Sequence, residues 1–178
     1  MRASRQHEQP DPRITTARRL DLLPLAVEHA AEMAAVLGDP GLHTFIGGAP
    51  ATPDALRSRY ERLVAGSPDP GTVWWNWVIR LREEDRLVGT VQATVGSSAR
   101  GTVAELAWVV GTPWQGRGIA TEAAGALVSW LARRQVSAVI AHIHPDHLAS
   151  AAVATAAGLS ATDQWQDDER LWRLEIQR

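Results

Sequence analysis

The chain has no cysteine. That excludes a disulfide framework, a thiol nucleophile and thiolate metal sites, and it fits a reducing compartment such as the cytoplasm. No apolar run approaches the roughly 18 residues needed to span a bilayer. The N-terminal stretch is polar and has no apolar signal core, so neither secretion nor membrane insertion is expected. An excess of charge of one sign is also lacking. A net charge of −2 over 178 residues gives no broad surface for nucleic acid or anionic lipid. Repeats, low-complexity tracts and an interdomain linker are absent, so one domain with a real core is expected. Phenylalanine and tyrosine occur once each, against eight tryptophans. Trp buries much area and stacks well, which suits a core or the wall of a ligand site.

Residues 1–13 read as a disordered lead, because Pro10 and Pro12 block regular structure; 14–178 read as the single domain. The pattern predicts a strand over 14–23 and a helix over 26–37 that stops at Gly38-Asp39-Pro40-Gly41. Thr52 and Pro53 open the next helix as N-cap and first-turn proline. Segments 73–81 and 86–95 form a hairpin, followed by a polar turn over 96–101. A strand over 103–110, a helix over 116–134 and a strand over 136–143 make up the centre. A helix over 147–157 closes at Gly158, and 161–166 with 170–176 make a last hairpin. This order implies an α/β (α+β) sandwich around a mixed sheet.

The chain is organised around the junction from 103 to 130. A strand breaks at Gly111-Thr112-Pro113 and a helix follows. Between them lies Gln115-Gly116-Arg117-Gly118-Ile119-Ala120. A helix start with two glycines leaves first-turn N–H groups unpaired at the positive end of the dipole, which suits phosphate.

This stretch resembles the phosphate-binding motif of the GNAT superfamily, the acyl-CoA-dependent N-acyltransferases: Arg/Gln-x-x-Gly-x-Gly/Ala, filled here by Gln115, Gly118 and Ala120. A second family block, Asn-x-x-Ser-x-x-Val and then Gly-Phe, is matched by His147, Ser150, Val153, Gly158 and Leu159. His for Asn and Leu for Phe are departures. The strand around Glu105 is similar to the branch that includes ribosomal-protein N-terminal acetyltransferases, which commonly carries Glu ten residues before the Gln, as Glu105 precedes Gln115. The resemblance implies a mostly antiparallel central sheet of about six or seven strands flanked by helices. It implies acetyl-CoA as co-substrate and no metal. Dimers are common among such proteins, so a homodimer is an expected assembly.

By this resemblance, Gln115, Gly116, Arg117, Gly118, Ile119 and Ala120 hold the pyrophosphate. Val109 and Val110 align the pantetheine arm and the carbonyl, while His147 and Ser150 lie along the cofactor. The Arg117 guanidinium is either a phosphate contact or a solvated surface cation. Glu105 shares a strand face with Ala107 and Val109, which leaves room for an amine; it is the candidate base, or else one half of a structural ion pair. Many relatives place a Tyr just after the position of Val153 to protonate the departing thiolate. Here Ala154 stands there, and the one tyrosine is Tyr60. Ser150 is the substitute by motif position, His147 the second, and solvent a third.

His142 and His144 have ligand-like spacing, yet they fit better as polar residues at a strand end beside the cleft mouth. Trp75 and Trp77 share a strand face and are candidates for an aromatic acceptor wall, or for core packing. Trp114 is either a hinge anchor or a cofactor contact. Asp39, His43 and the acidic turn over 83–85 are candidates for attracting a cationic amine. The expected activity is acetyl transfer to a primary amine, at a protein or peptide N-terminus or on a small molecule. The alternative is an acyl-CoA-binding sensor or interaction module without turnover.

Overall fold

The computed structural model describes residues 13–16 and 18–177, so all but the last residue of the expected lead lies outside it. An eight-stranded mixed sheet is flanked by five helices. The strands are β1 (Ile14–Thr15), β2 (Leu20–Pro24), β3 (Thr72–Leu81), β4 (Arg86–Ser98), β5 (Gly101–Val110), β6 (Ala138–Ile143), β7 (Ser160–Gln166) and β8 (Glu169–Glu175). The helices are α1 (Ala30–Val36), α2 (His43–Ile46), α3 (Pro53–Ala65), α4 (Ile119–Ala132) and α5 (Leu148–Ala156). Strand order is β1-β2-β3-β4-β5-β6-β8-β7, and among the described residues only β5 and β6 run parallel. The mostly antiparallel sandwich is therefore the observed architecture.

The eighth strand arises where the sequence suggested one strand over 14–23. Thr16 donates its N–H to the Leu20 carbonyl at 2.8 Å, folding β1 back on β2 with Ile14 opposite Leu22. The turn expected over 96–101 is shorter: β4 runs on to Ser98 and β5 starts at Gly101, pinned by Ser98 Oγ donating to the Gly101 carbonyl. Helix α4 begins at Ile119 rather than at 116, because Gly118 is left-handed and serves as its N-cap. Thr52 caps α3 as expected, accepting the Ala55 N–H at 3.2 Å.

The core lies between sheet and helices. Leu20, Leu22, Ile79, Leu81, Ile119, Leu127 and Leu131 are sealed in it. These β-branched and leucine-rich faces supply the burial that holds α4 to the sheet. One position fixes the centre sterically. A Cβ on Gly89 of β4 would come within 2.2 Å of the Val109 carbonyl oxygen, so a glycine there lets the end of β5 lie close to β4.

Candidate active site

The parallel pairing of β5 with β6 covers only Val103–Glu105 against Ala138–Ile140. Past that point the strands diverge and open a cavity of about 540 Å³. The sheet supplies Asn76, Gln92, Glu105, Ala107 and His142, and the opposite wall comes from α1, α2 and α3 with Leu37, Phe45, Leu56 and Tyr60. His147 and Ser150 of the α5 start also line the cavity, as does Val109. Six N–H groups of the α4 start lie at the end of the same β5 strand.

Glu105 is half exposed, and its Oε1 accepts from His142 Nδ1 at 2.7 Å. The register explains the contact: Glu105 stands opposite Ile140, and His142 is the next residue on that face of β6. Both line the cavity. His142 thus stands beside the cleft as expected, but as a partner of Glu105. Among the described residues no group of three or more His, Cys, Asp or Glu is placed to hold a metal ion.

At the junction after β5, Gly116 and Gly118 have φ of +73° and +75°. A Cβ on Gly116 would meet nothing, so glycine is needed for the backbone turn, and the space above it stays open. The Gln115 N–H is already bonded to the Thr112 carbonyl, and its side chain donates to the Val110 carbonyl at 3.0 Å. Gln115 therefore braces the loop against β5 rather than offering a free donor. The N–H groups from Gly116 to Thr121 have no acceptor among the described residues. They belong to the loop and first turn of a fourteen-residue helix, at the positive end of its dipole.

The loop is held from below by contacts the sequence did not reveal. Glu122 accepts from Thr16 Oγ1 at 2.6 Å, from the Arg19 N–H at 2.9 Å and from Arg19 Nε at 3.0 Å. Arg19 Nη2 also donates to the Arg117 carbonyl at 2.9 Å. Burial pushes the Glu122 carboxyl up, but these hydrogen bonds outweigh it and leave the pKa below the ordinary value. The Arg117 guanidinium bonds Glu83 and Glu84, each at 3.0 Å. Trp114 is buried and donates to Glu84 at 2.9 Å, which makes it a hinge anchor. The acidic turn suggested as an amine attractor thus clamps the loop instead. Asp39 is also engaged, by Thr112 Oγ1 at 2.7 Å and the Gly41 N–H.

His147 explains its own departure from Asn. It is the N-cap of α5, and its Nδ1 accepts the Ser150 N–H at 2.9 Å, as an Asn oxygen would. Ser150 Oγ has no partner among the described residues and lies on the cavity. Ala154 is fully buried and brings no acid. Tyr60 does not replace it. Its hydroxyl is buried with no partner among the described residues, and burial pushes its pKa up to about 12.

Trp75 and Trp77 are not an exposed acceptor wall. Both turn to α4, where their rings meet Trp130 edge-on at 4.8 and 5.2 Å. Trp77 borders the cavity but is wholly buried, and Asn76 is the polar side chain that β3 presents there. Asn76 and Gln92 were missed as site residues. They pair across β3 and β4, and alternation alone placed Asn76 on the face opposite Trp75 and Trp77.

A family model described as an acetyltransferase (GNAT) domain matches residues 19–160. None of the curated proteins matches the chain. Among solved structures, a GNAT-family acetyltransferase from Bacillus anthracis is 17% identical, covers 92% of this chain and 98% of its own, and superposes with a TM-score of 0.76. A Salmonella typhimurium acetyl transferase that modifies the N-terminal serine of a 50S ribosomal subunit protein is 15% identical, with coverages of 93% and 99% and a TM-score of 0.74. A microcin self-immunity acetyltransferase in complex with acetyl-CoA and AMP is 15% identical, with coverages of 89% and 93% and a TM-score of 0.73. Likeness at these identities speaks to the fold. Among the described residues no helix is long and apolar enough to cross a membrane.

Proposed function

Because the chain belongs to the acetyltransferase (GNAT) domain family, we propose that it moves an acetyl group from acetyl-CoA to a primary amine by direct attack in a ternary complex. The observation that carries this reading is the set of N–H groups from Gly116 to Thr121 that have no acceptor among the described residues, in a loop exposed at Gly116, Arg117 and Gly118 and following the β5 strand whose Val109 lines the cavity. Gly116 to Ala120 donate to the pyrophosphate through their backbone. Gln115 and the Arg117 guanidinium hold the loop. The pantetheine arm lies along the unpaired end of β5, where Val109 and Val110 align it and a backbone donor meets the developing oxyanion. Glu105 takes the amine proton, and Ser150 or solvent returns one to the thiolate. His147 keeps Ser150 in place by capping α5. No metal takes part.

The acceptor is a protein or peptide N-terminus or a small-molecule amine, and the setting is the cytoplasm. The Salmonella relative's N-terminal serine substrate supports the first choice. Complexed acetyl-CoA in the microcin immunity relative supports the donor. A second reading, an acyl-CoA-binding module without turnover, is favoured by one observation: Ala154 offers no proton to the thiolate.

Acetyl-CoA titration followed by calorimetry and Trp fluorescence tests the site. Saturable binding to the wild type, lost in Gly118→Glu and kept in part by Gly118→Ala, is the expected result. Circular dichroism confirms that both variants are folded. No heat of binding to folded wild type would overturn the reading. Binding without acetyl transfer to any amine of a broad panel would favour the module.

A further inference from the structure

We propose that His142 Nε2 is the atom that takes the proton from the acceptor amine, and that Glu105 is a positioning residue that fixes the imidazole. This inference rests on the acetyl-transfer reading and reassigns one role within it. The observation behind it is the 2.7 Å contact between His142 Nδ1 and Glu105 Oε1. A carboxylate only accepts hydrogen bonds, so the proton of a neutral imidazole is held on Nδ1. The lone pair is then on Nε2. That atom has no hydrogen-bond partner among the described residues, yet it is not sealed from solvent. His142 is 14% exposed at its side chain and lines the cavity, where an acceptor would enter.

The placement follows from the sheet. Two parallel strands diverge just past Glu105 and Ile140, so the next inward residue of β6 overhangs the gap. Glu105 can reach it only diagonally, and does. Chemistry favours the imidazole as proton acceptor. A general base works best when its own pKa lies near the working pH, and an imidazole is a stronger base than a carboxylate. The Glu105 charge, in turn, stabilises the imidazolium that forms, as a carboxylate does behind any catalytic histidine.

The step balances as follows. The ammonium gives a proton to His142 Nε2. The freed nitrogen lone pair attacks the thioester carbonyl; the N–C bond forms and the C–S bond breaks. The second proton of the nitrogen reaches the departing thiolate through solvent. His142 then releases its proton to water, and one proton is produced per turnover. Other charged or titratable groups facing the cavity are His43 of α2, Arg59 and Tyr60 of α3, His144 of β6, His147 before α5 and Glu169 of β8. The pH test therefore has to be read as a difference between variants.

The experiment has three arms. Calorimetry with acetyl-CoA on wild type, His142→Gln and Glu105→Gln comes first; unchanged binding keeps the cofactor reading intact, whereas loss in the wild type sinks that reading instead. Imidazole nitrogen NMR on the free protein reads the tautomer. The expected spectrum has the neutral His142 proton on Nδ1, moving to Nε2 in Glu105→Ala. A wild-type proton on Nε2 would overturn the proposal outright. The third arm is acetyl transfer to a serine-initiated peptide and to 2-phenylethylamine. His142→Gln is expected to lower kcat by about 10² to 10⁴ with little change in KM and to abolish the acidic limb of the pH–rate profile. Glu105→Gln should lower kcat less and keep that limb, and the double variant should be no slower than His142→Gln. If His142→Gln stays within about threefold of wild type while Glu105→Gln loses 10² or more, Glu105 is itself the base and the proposal falls.

Discussion

Asp21 and Glu122 on one side, and Glu105 on the other, are carboxylates of one sheet-and-helix core put to opposite uses. The Asp21 side chain is 3% exposed and accepts from Thr15, Arg80 and Arg82. Glu122 is 9% exposed and accepts three hydrogen bonds from Thr16 and Arg19. Glu105 is 45% exposed at its side chain and pairs with His142. Burial pushes both sealed groups up, and their donors and neighbouring arginines more than reverse it. The lesson concerns saturation. A carboxylate whose oxygens are all engaged and dry holds elements together. One that keeps an oxygen free over an open cavity is available to a substrate.

Substitution breaks the comparison most directly. Asp21→Ala leaves Arg13, Arg80 and Arg82 facing a vacated pocket and should cost about 2 to 3 kcal/mol, less than a fully buried pair because all three arginines reach solvent. The loss is read as a lower urea midpoint at unchanged slope. Glu105→Ala should stay within about 0.5 kcal/mol of wild type, as exposed sites do. Equal costs would show that Glu105 is a brace like Asp21.

Acid sharpens the same contrast. The folded pKa values of Asp21 and Glu122 are lowered from 3.8 and 4.5. At low pH the unfolded chain therefore binds more protons than the folded one. The stability these groups contribute is complete above their unfolded values and is lost as pH falls through the folded ones. The urea midpoint should hold from neutral pH down to about 5 and fall below that. Glu122→Gln should start from a lower midpoint and show a shallower fall. A slope unaffected by Glu122→Gln would leave the acid sensitivity to Asp21 and to the other carboxyls held below their usual range, Asp39, Asp69 and Glu84.

Much of this was legible in the sequence, and the reason is local. The turn at Gly116 and Gly118 requires positive φ, which only glycine adopts freely, so it is written at the residues themselves. Thr52-Pro53 and the strands around β-branched runs are equally local. What could not be read depends on distant partners. The break in the 14–23 stretch is stabilised by Glu122, more than a hundred residues on. The pairing of Glu105 with His142 depends on a parallel register, and no sequence pattern fixes how far two crossover-linked strands slide. Alternation along β3 divided Trp75 and Trp77 from Asn76, but only the position of α4 decides which face is core. His for Asn at residue 147 is a departure from the family block when read in the sequence alone. It is a change of capping atom.

Arg117 gives the smallest expected effect and the finest test of the comparison, because it belongs to the phosphate loop by position and to the braces by its bonds. Its side chain is 37% exposed and its guanidinium spans Glu83 and Glu84, whose side chains are 59% and 34% exposed. The Glu84 carboxyl is held below its usual range first by the Trp114 hydrogen bond and then by Arg117. A surface clamp of this kind is weak and screened by salt. Arg117→Ala should therefore weaken acetyl-CoA binding by no more than about fivefold, through a looser loop. Because the clamp itself is screened, that deficit should shrink as salt rises. A guanidinium bound to phosphate would behave differently. Its removal would cost tenfold or more and would flatten the salt dependence of acetyl-CoA binding itself. That result would mean that Arg117 leaves Glu83 and Glu84 when the cofactor arrives. Saturation in the free protein would then separate braces from chemistry only where burial prevents exchange, as it does at Asp21 and Glu122.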